Sequence, residues 1–427
     1  MNGLSLRRLI RPNRVTPNGA LAAVVVLLVG IGCHEARTEQ PINKALAVAS
    51  IKLLSERGST RSTRYATTNK IVTVAGKTHV AWLDSISQTM VATYDDASGA
   101  WTQPVKVGNG KDNHGGPALT CDSTGTLHII FGPHGGPFQH CRSARPNDAT
   151  KWVRLPEFAD QATYPSVVCD EADTLHIIYR GGPNPRKLLY QRRPKAGRWS
   201  KPRILARAPI KSGYTHYHCA LTIGPDHSLH SSYDIYFNSA AKCAGHMMSR
   251  DRGRTWTLAD GSPLDLPVSP KSDAFFKRTS TALKTGGIVC DSAARPWITV
   301  SGPEVWHHDG KTWRRFVPSE LIRPQPKIGK LAGYGPPGID AKDRIYVPAL
   351  LDGHVVLLYS DDKAKTFKLL RVFAPDETLP HTGLSIERPT GQHAVQIPWL
   401  MFATGLKGPD CYGKGIYHKV RAVRLTR

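Results

Sequence analysis

The feature of this sequence that most restricts its fold is a unit of about fifty residues that recurs along most of the chain. Ala118-Leu119-Thr120-Cys121-Asp122 followed by Leu127-His128-Ile129-Ile130-Phe131 returns as Ser166-Val167-Val168-Cys169-Asp170 followed by Leu175-His176-Ile177-Ile178-Tyr179. Further copies begin near Ile71, Ala220, Gly287, Gly338 and Leu384. With Val72, Leu119, Val167, Leu221, Ile288, Ile339 and Ser385 taken as equivalent, the steps are 47, 48, 54, 67, 51 and 46 residues, which makes seven units. Each unit holds two β-rich runs joined by an Asp/Gly turn, then a third run such as Phe138 to Ser143 or Lys187 to Gln191. An aromatic marks a fourth run at Trp101, Trp152, Trp199, Trp256, Trp313 or Phe367. A lone four-stranded sheet cannot bury both faces and must stack on neighbours, so the expected fold is all-β, a seven-bladed β-propeller over 65–427. The closing run, Gly415 to Leu425, is expected to fasten the ring to the first blade.

Ser249-Arg250-Asp251-Arg252-Gly253-Arg254-Thr255-Trp256 fits the Asp-box turn of sialidase-like propellers, and Ser360 to Phe367 is a degraded copy with Ala364 in place of Gly. In such a turn the Asp accepts backbone N–H bonds while the aromatic packs beneath, so its work is folding. Residues 34–64 precede the repeat. The composition of Ala45 to Glu56 favours a helix, read as part of a tether that docks on the ring.

At the start, Arg7, Arg8, Arg11 and Arg14 precede the apolar run Ala20 to Ile31, which ends at Gly32-Cys33. Residues 1–33 therefore read as a signal peptide, of lipoprotein type with Cys33 lipidated, too short for a comfortable membrane span. The expected location is secreted or lipid-anchored at the bacterial cell envelope, periplasm or outer membrane. The formal charge is +24, and loss of the leader's four arginines leaves +20. An exported surface of that sign draws polyanions, acidic glycans ahead of nucleic acid. Of the eight cysteines, Cys121, Cys169 and Cys290 hold equivalent places in the repeat, which marks them as small buried residues and not as bridges.

Chemistry in such a fold gathers where the innermost strands begin. The second unit begins Asp112-Asn113-His114-Gly115-Gly116-Pro117, and its second strand ends in Gly132-Pro133-His134-Gly135-Gly136-Pro137. Two His flanked by Gly-Gly-Pro add little to a β core, and the glycines would let a polymer approach the backbone. The third unit supplies Tyr179-Arg180 and the pair Arg192-Arg193; the fourth supplies Tyr214-Thr215-His216-Tyr217-His218 and Tyr233-Asp234-Ile235-Tyr236. It is the collection of His, Tyr and Arg at matching places in consecutive units that points to a site. Cys243-Ala244-Gly245-His246 has the Cys-x-x-His spacing, and without two further ligands no metal site and no cofactor is read.

The Asp-Asn-His-Gly-Gly-Pro run at 112–117, Gly132-Pro133-His134 with 142–148, Thr163-Tyr164-Pro165 and Gly224-Pro225-Asp226 with Leu229-His230 resemble the BNR-repeat polysaccharide lyases of the ulvan-lyase type. The resemblance implies β-elimination on a uronate-containing, sulfated polysaccharide. It implies His114 as the proton-abstracting base, Tyr179 as the acid, His134 beside them, and Arg192 or Arg193 neutralising the uronate carboxylate. His216 and Tyr236, in preference to Tyr233, would line the substrate groove, where Asp234 departs from the pattern because an acid there would repel a uronate. These residue types suit the reaction, since an Arg fork neutralises a carboxylate, imidazole takes a proton near neutral pH and a phenol can give one. Two other readings share the fold: a propeller that binds acidic glycans without turnover, and a sialidase-like hydrolase, which would need the paired carboxylates or three Arg that are not evident here.

Overall fold

The repeat register becomes strand register in a computed structural model, which describes residues 45–427 except 239, 302–303, 325–328, 334, 373–378 and 407–415. The chain divides into two compact units, Met1–Lys44 and Ala45–Arg427, and the second is described here. The leader, Cys33 and the first part of the tether lie outside the described residues. All seven equivalent positions fall on the first strand of their units, namely Ile71–Val74, Ala118–Cys121, Asp148–Cys169, Cys219–Ile223, Thr285–Cys290, Gly338–Ile339 and His381–Ile386. The described chain is all-β apart from one helical turn, Pro318–Leu321.

Strand pairing within units is antiparallel and sequential, as in Cys219–Ile223, Leu229–Phe237, Ala240–Ser249 and Phe275–Arg278 of unit four. The sheets of units two and three are joined because Asp148–Cys169 serves both. Its first part pairs with Gly136–Arg145 and its last part with Leu175–Gly181. Burial falls from first strand to fourth. Ala118–Cys121 and Leu127–Phe131 are buried at every residue, whereas Trp313–Phe316 and Lys368–Arg371 are half exposed. A strand buried on both faces needs apolar neighbours on both, and this is why Leu, Ile, Val and Phe run without alternation there. The Asp of each repeat caps its first turn: Asp122, Asp170, Asp291 and Asp340 each accept two backbone amides, from the residues two and four further on.

The two Asp-box segments fold alike. Asp251 accepts from the Arg254 and Thr255 amides above the buried Trp256, and Asp362 accepts from the Thr366 amide above the buried Phe367. Ala364, standing where Gly is usual, takes a φ of +63°. The six described cysteines are all unpaired and buried.

Two expectations are corrected here. Ala45 to Glu56 is not a helix: Ala47–Gly58 is a strand, because its backbone groups pair with His418–Thr426, and that ladder overrides the helix-favouring composition. The closing run His418–Thr426 lies between Leu400–Thr404 and Ala47–Gly58 in the last unit, so the first described strand completes the last unit. From that same unit, the segment around Pro389–Gln392 crosses to the strand ends of units two to four, where the Thr390 carbonyl accepts from the Cys169 amide and the Thr120 hydroxyl and the Pro389 carbonyl from the Thr222 hydroxyl. Deleting residues 45–58 would leave the edge of His418–Thr426 unpaired. A fall of about 5 °C or more in the thermal midpoint is expected, measured by calorimetry; unchanged melting would contradict the role given to this strand.

Candidate functional site

A carboxylate organises the two Gly-Gly-Pro segments of unit two. Asp112 Oδ1 accepts from the His114 ring Nδ1 at 2.8 Å and from the His114 amide, while Oδ2 accepts from the His134 amide at 3.1 Å. Burial alone would raise the pKa of Asp112, but the bonds from the His114 ring and amide outweigh it and hold the group down to about 2. A carboxylate can only accept, so a proton sits on His114 Nδ1, and in the neutral ring it is Nε2 that carries the lone pair. The glycines serve this crossing of loops more than an approaching polymer, since a Cβ on Gly115 would lie 1.3 Å from the Gly132 carbonyl oxygen.

The second imidazole is in the opposite condition. Its ring centroid lies 4.6 Å from that of His114, and its Nε2 faces Arg180 Nη1 at 3.1 Å. A guanidinium only donates, so His134 Nε2 is the acceptor and the ring is neutral. Burial, then the charges of His114 and Arg180, push His134 down to about 4. Arg180 is itself 1% exposed, held by its Nε bond to the Thr215 carbonyl at 2.7 Å and lying 4.7 Å from the Tyr214 ring. Arg186, half-buried, donates to the Gln161 carbonyl and lies against Gly135, beside His134.

Tyr164 closes the cluster. Its ring is 6.4 Å from His114, 5.9 Å from His134, 4.7 Å from His216 and 4.7 Å from Tyr65. Tyr164 and Tyr65 both have left-handed backbones, φ +59° and +71°. For a bulky residue that costs on the order of 1–3 kcal/mol and persists where the surroundings enforce it, commonly at functional sites. Burial raises both phenols, Tyr65 to about 12 and Tyr164 beyond the ordinary range, so both stay protonated at neutral pH.

A further carboxylate–imidazole pair stands in unit four, where Asp234 Oδ2 accepts from His218 Nδ1 at 2.9 Å. Asp234 is fully buried and also accepts the His218 and Thr285 amides, so it does not confront a substrate as the sequence implied. His216 bridges to Tyr236 through two backbone bonds of 2.8 and 3.2 Å, and the Tyr236 ring meets the exposed Tyr214 edge-on at 5.9 Å. His216, His218 and Asp234 offer nitrogens and a carboxylate oxygen within 4.8 Å of one another, a grouping able to hold a metal ion. Burial first, then neighbouring His218, Arg180 and Lys284, holds His216 well below its ordinary value, and the charges of Arg180 and Lys284 oppose a bound metal.

Of the residues named from sequence, the structure brings together His114, His134, His216 and Tyr236, and leaves three elsewhere. Tyr179 packs in an apolar cluster with Ala118, Phe138 and Leu189, its hydroxyl donating to Gln191 at 2.5 Å. Strand alternation turns neighbouring side chains to opposite faces, and it is Arg180 that reaches the imidazoles. Arg192 and Arg193 sit at the far end of Lys187–Arg193, opposite His176 and Leu175. That is roughly 13 Å along the strand from Arg180. Arg192 donates to the Arg252 carbonyl, and Arg193 lines an outer groove with Trp199. Tyr233 is also core, with its hydroxyl on the Ala274 carbonyl. Cys243 packs in an apolar cluster and His246 bonds His230, so they form no joint ligand set. Sequence reasoning quoted Tyr164 and Arg180 without giving either a role and passed over Arg186; a period-two count along Leu175–Gly181 could have separated Arg180 from Tyr179.

Nuclear magnetic resonance titration of the His134 ring is expected to show it neutral above pH 5, taking its proton near pH 4. In Arg180→Gln the midpoint should move upward, because a positive neighbour is gone. An ordinary midpoint in the unaltered protein would contradict the assigned tautomer.

Known proteins resemble this chain in sequence and in fold. An ulvan lyase of Alteromonas sp. (strain LOR) is 24% identical over 351 residues, covering 67% of this chain and 72% of the relative. An ulvan lyase of Pseudoalteromonas sp. (strain PLSV) is 26% identical over 148 residues, 29% of this chain and 30% of its own length. Among solved structures, a polysaccharide lyase described as a PL25 ulvan lyase superposes with a TM-score of 0.68 at 18% identity, covering 86% of this chain and 94% of that one. A second such structure, bound to -[GlcA(1-4)Rha3S]-, gives 0.69 at 17% identity over the same shares. The polysaccharide lyase Uly1 gives 0.59 at 11%, over 89% and 99%. These likenesses show a shared fold. The model of BNR repeat-containing family members matches residues 77–311, more than half of the sequence, and the chain belongs to that family.

Proposed function

We propose that this chain is a seven-bladed β-propeller polysaccharide lyase, exported to the cell envelope, that cleaves a sulfated, uronate-containing polysaccharide by β-elimination. The observation that carries the reading is the His114 imidazole: its Nδ1 proton is pinned by Asp112, its Nε2 is unengaged by any hydrogen bond among the described residues, a protonated phenol lies 6.4 Å from its ring, and two guanidiniums stand by the neighbouring His134. In the reaction His114 Nε2 takes the uronate C5 proton and the C4–O bond breaks as the C4=C5 double bond forms. Tyr164 gives its proton to the departing oxygen. Tyr164 replaces Tyr179 in that role because its ring, unlike that of Tyr179, lies beside both imidazoles. Arg186, more accessible than Arg180, neutralises the uronate carboxylate, and so makes the C5 proton removable. His134 and Arg180 fix the floor, and Tyr214, 55% exposed, offers a ring for a neighbouring sugar.

The named relatives are ulvan lyases, and one related structure holds a GlcA–Rha3S unit; both support this substrate class. A glycosidase needs two carboxylates flanking the scissile bond, whereas Asp112 and Asp234 each engage an imidazole and backbone amides. Incubation with ulvan should generate the ultraviolet absorbance of an unsaturated uronate. His114→Ala and Tyr164→Phe should each lower the rate about 10²–10⁴-fold with the thermal midpoint retained. Tyr179→Phe should keep most of the rate. Reducing sugar released without the chromophore would mean hydrolysis, and full activity in His114→Ala would remove the base assignment.

A further inference from the structure

The repeat places a second constellation of side chains on its outer strands, away from the mouth that holds His114. In unit two, His128 Nε2 faces the Asp122 carboxylate at 3.5 Å, and His128 Nδ1 meets His140 Nε2 at 3.1 Å. The carboxylate only accepts, so the proton order along the chain leaves His140 Nδ1 as a bare acceptor. His140 is 0% exposed, and this nitrogen has no hydrogen-bond partner among the described residues; neither has the nearby indole nitrogen of Trp199. The His140 ring lies 5.7 Å from Trp199, which in turn stacks on Phe158 at 4.3 Å with the rings 10° apart. These three residues line a groove rimmed by Arg193, Arg198 and Glu157, and Glu157 is already paired with Arg154.

Unit four repeats the framework. Ser228, bonded to Asp226, holds His230 Nε2 at 2.7 Å, His230 Nδ1 meets His246 Nε2 at 3.1 Å, and His246 Nδ1 is again unpartnered. His246 faces Trp313, which stacks on Phe276. The rim differs, since Asp260 and Asp273 stand there with Lys311. Unit three shows the filled alternative. Tyr190 takes the place of the second His, bonds His176 at 2.7 Å and packs on Trp256.

We propose that the Trp199 groove is a second binding site, for an acidic sugar residue of the polymer, separate from the His114 mouth. His140 and Trp199 each bury a polar nitrogen left without a partner among the described residues, and a ligand hydroxyl in the groove, which can both donate and accept, is the group able to answer either one. The stacked rings offer an apolar floor to the C–H face of a sugar, and Arg193 and Arg198 match a carboxylate or sulfate. The groove in unit four, with its acidic rim, has the same floor and the wrong charge. The inference rests on the proposed acidic-glycan specificity but not on the lyase chemistry.

Affinity electrophoresis in gels cast with ulvan, using the His114→Ala background to prevent cleavage, tests it. Arg193→Gln/Arg198→Gln and Trp199→Ala should each raise the apparent Kd about tenfold, the effect of losing one or two charge-assisted or stacking contacts. Trp313→Ala should leave retardation as it was, and so should Lys52→Gln/Lys365→Gln, which removes the same charge elsewhere. In the His114-containing protein, turnover of a short uronate oligosaccharide should be unaffected by the Arg193→Gln/Arg198→Gln change. Unaltered retardation in both groove variants would overturn the site, and so would an equal loss in the Lys52→Gln/Lys365→Gln control. Should Trp199→Ala fail to fold, the arginine pair decides alone. A protein that produces no unsaturated product yet loses retardation with the arginine pair would refute the lyase reading while upholding the groove.

Discussion

One carboxylate sets the state of the whole site. Asp112 receives the ring and amide of His114 and the amide of His134, so it joins the segment that enters the first strand of unit two to the segment that leaves its second. The same contacts decide chemistry. They pin a proton on His114 Nδ1 and leave its other nitrogen without a protein partner among the described residues, while the guanidinium of Arg180 ties down the corresponding nitrogen of His134. Two neighbouring imidazoles thereby acquire different tasks, one able to accept a proton and one neutral and structural, set by whether the partner accepts or donates.

Much of this was legible in the sequence, and the failures have identifiable causes. The period of the repeat marked the first strand of every unit because those strands are buried on both faces and built mainly of apolar and small residues. His114, His134 and His216 were legible because polar residues interrupt that apolar run at matching places. Tyr179 misled since it adjoins Arg180 in the chain, yet adjacent residues on a strand face opposite ways. Arg192 and Arg193 misled for a related reason: an antiparallel register places the end of one strand beside the start of its neighbour. Tyr164 carried no periodic signal, because its place depends on a left-handed backbone just before Pro165 within an irregular stretch of pairing between Thr163 and Ser166. The strand at Ala47–Gly58 could not be read from composition, since the strand that pairs with it lies some 370 residues later.

The distribution of charge extends the same logic outward. Arginine at the mouth meets an exposed aromatic ring and a buried residue's carbonyl, and that fixes its geometry; on the outer strands it rims a groove lined by residues with unpartnered polar atoms. A polymer spans distances that a single sugar does not. A chain-binding groove and a reacting mouth on one molecule would therefore act together by raising the local concentration of substrate.

The most direct test of the central claim is a crystal structure of His114→Ala with a uronate tetrasaccharide bound. One uronate is expected with its C5 within about 3–3.5 Å of the space vacated by the His114 ring nitrogen, the Tyr164 hydroxyl against the bridging oxygen of that same sugar, and Arg186 on its carboxylate. A chain whose reacting sugar sits instead by Tyr179, or with its carboxylate on Arg192, would contradict the account.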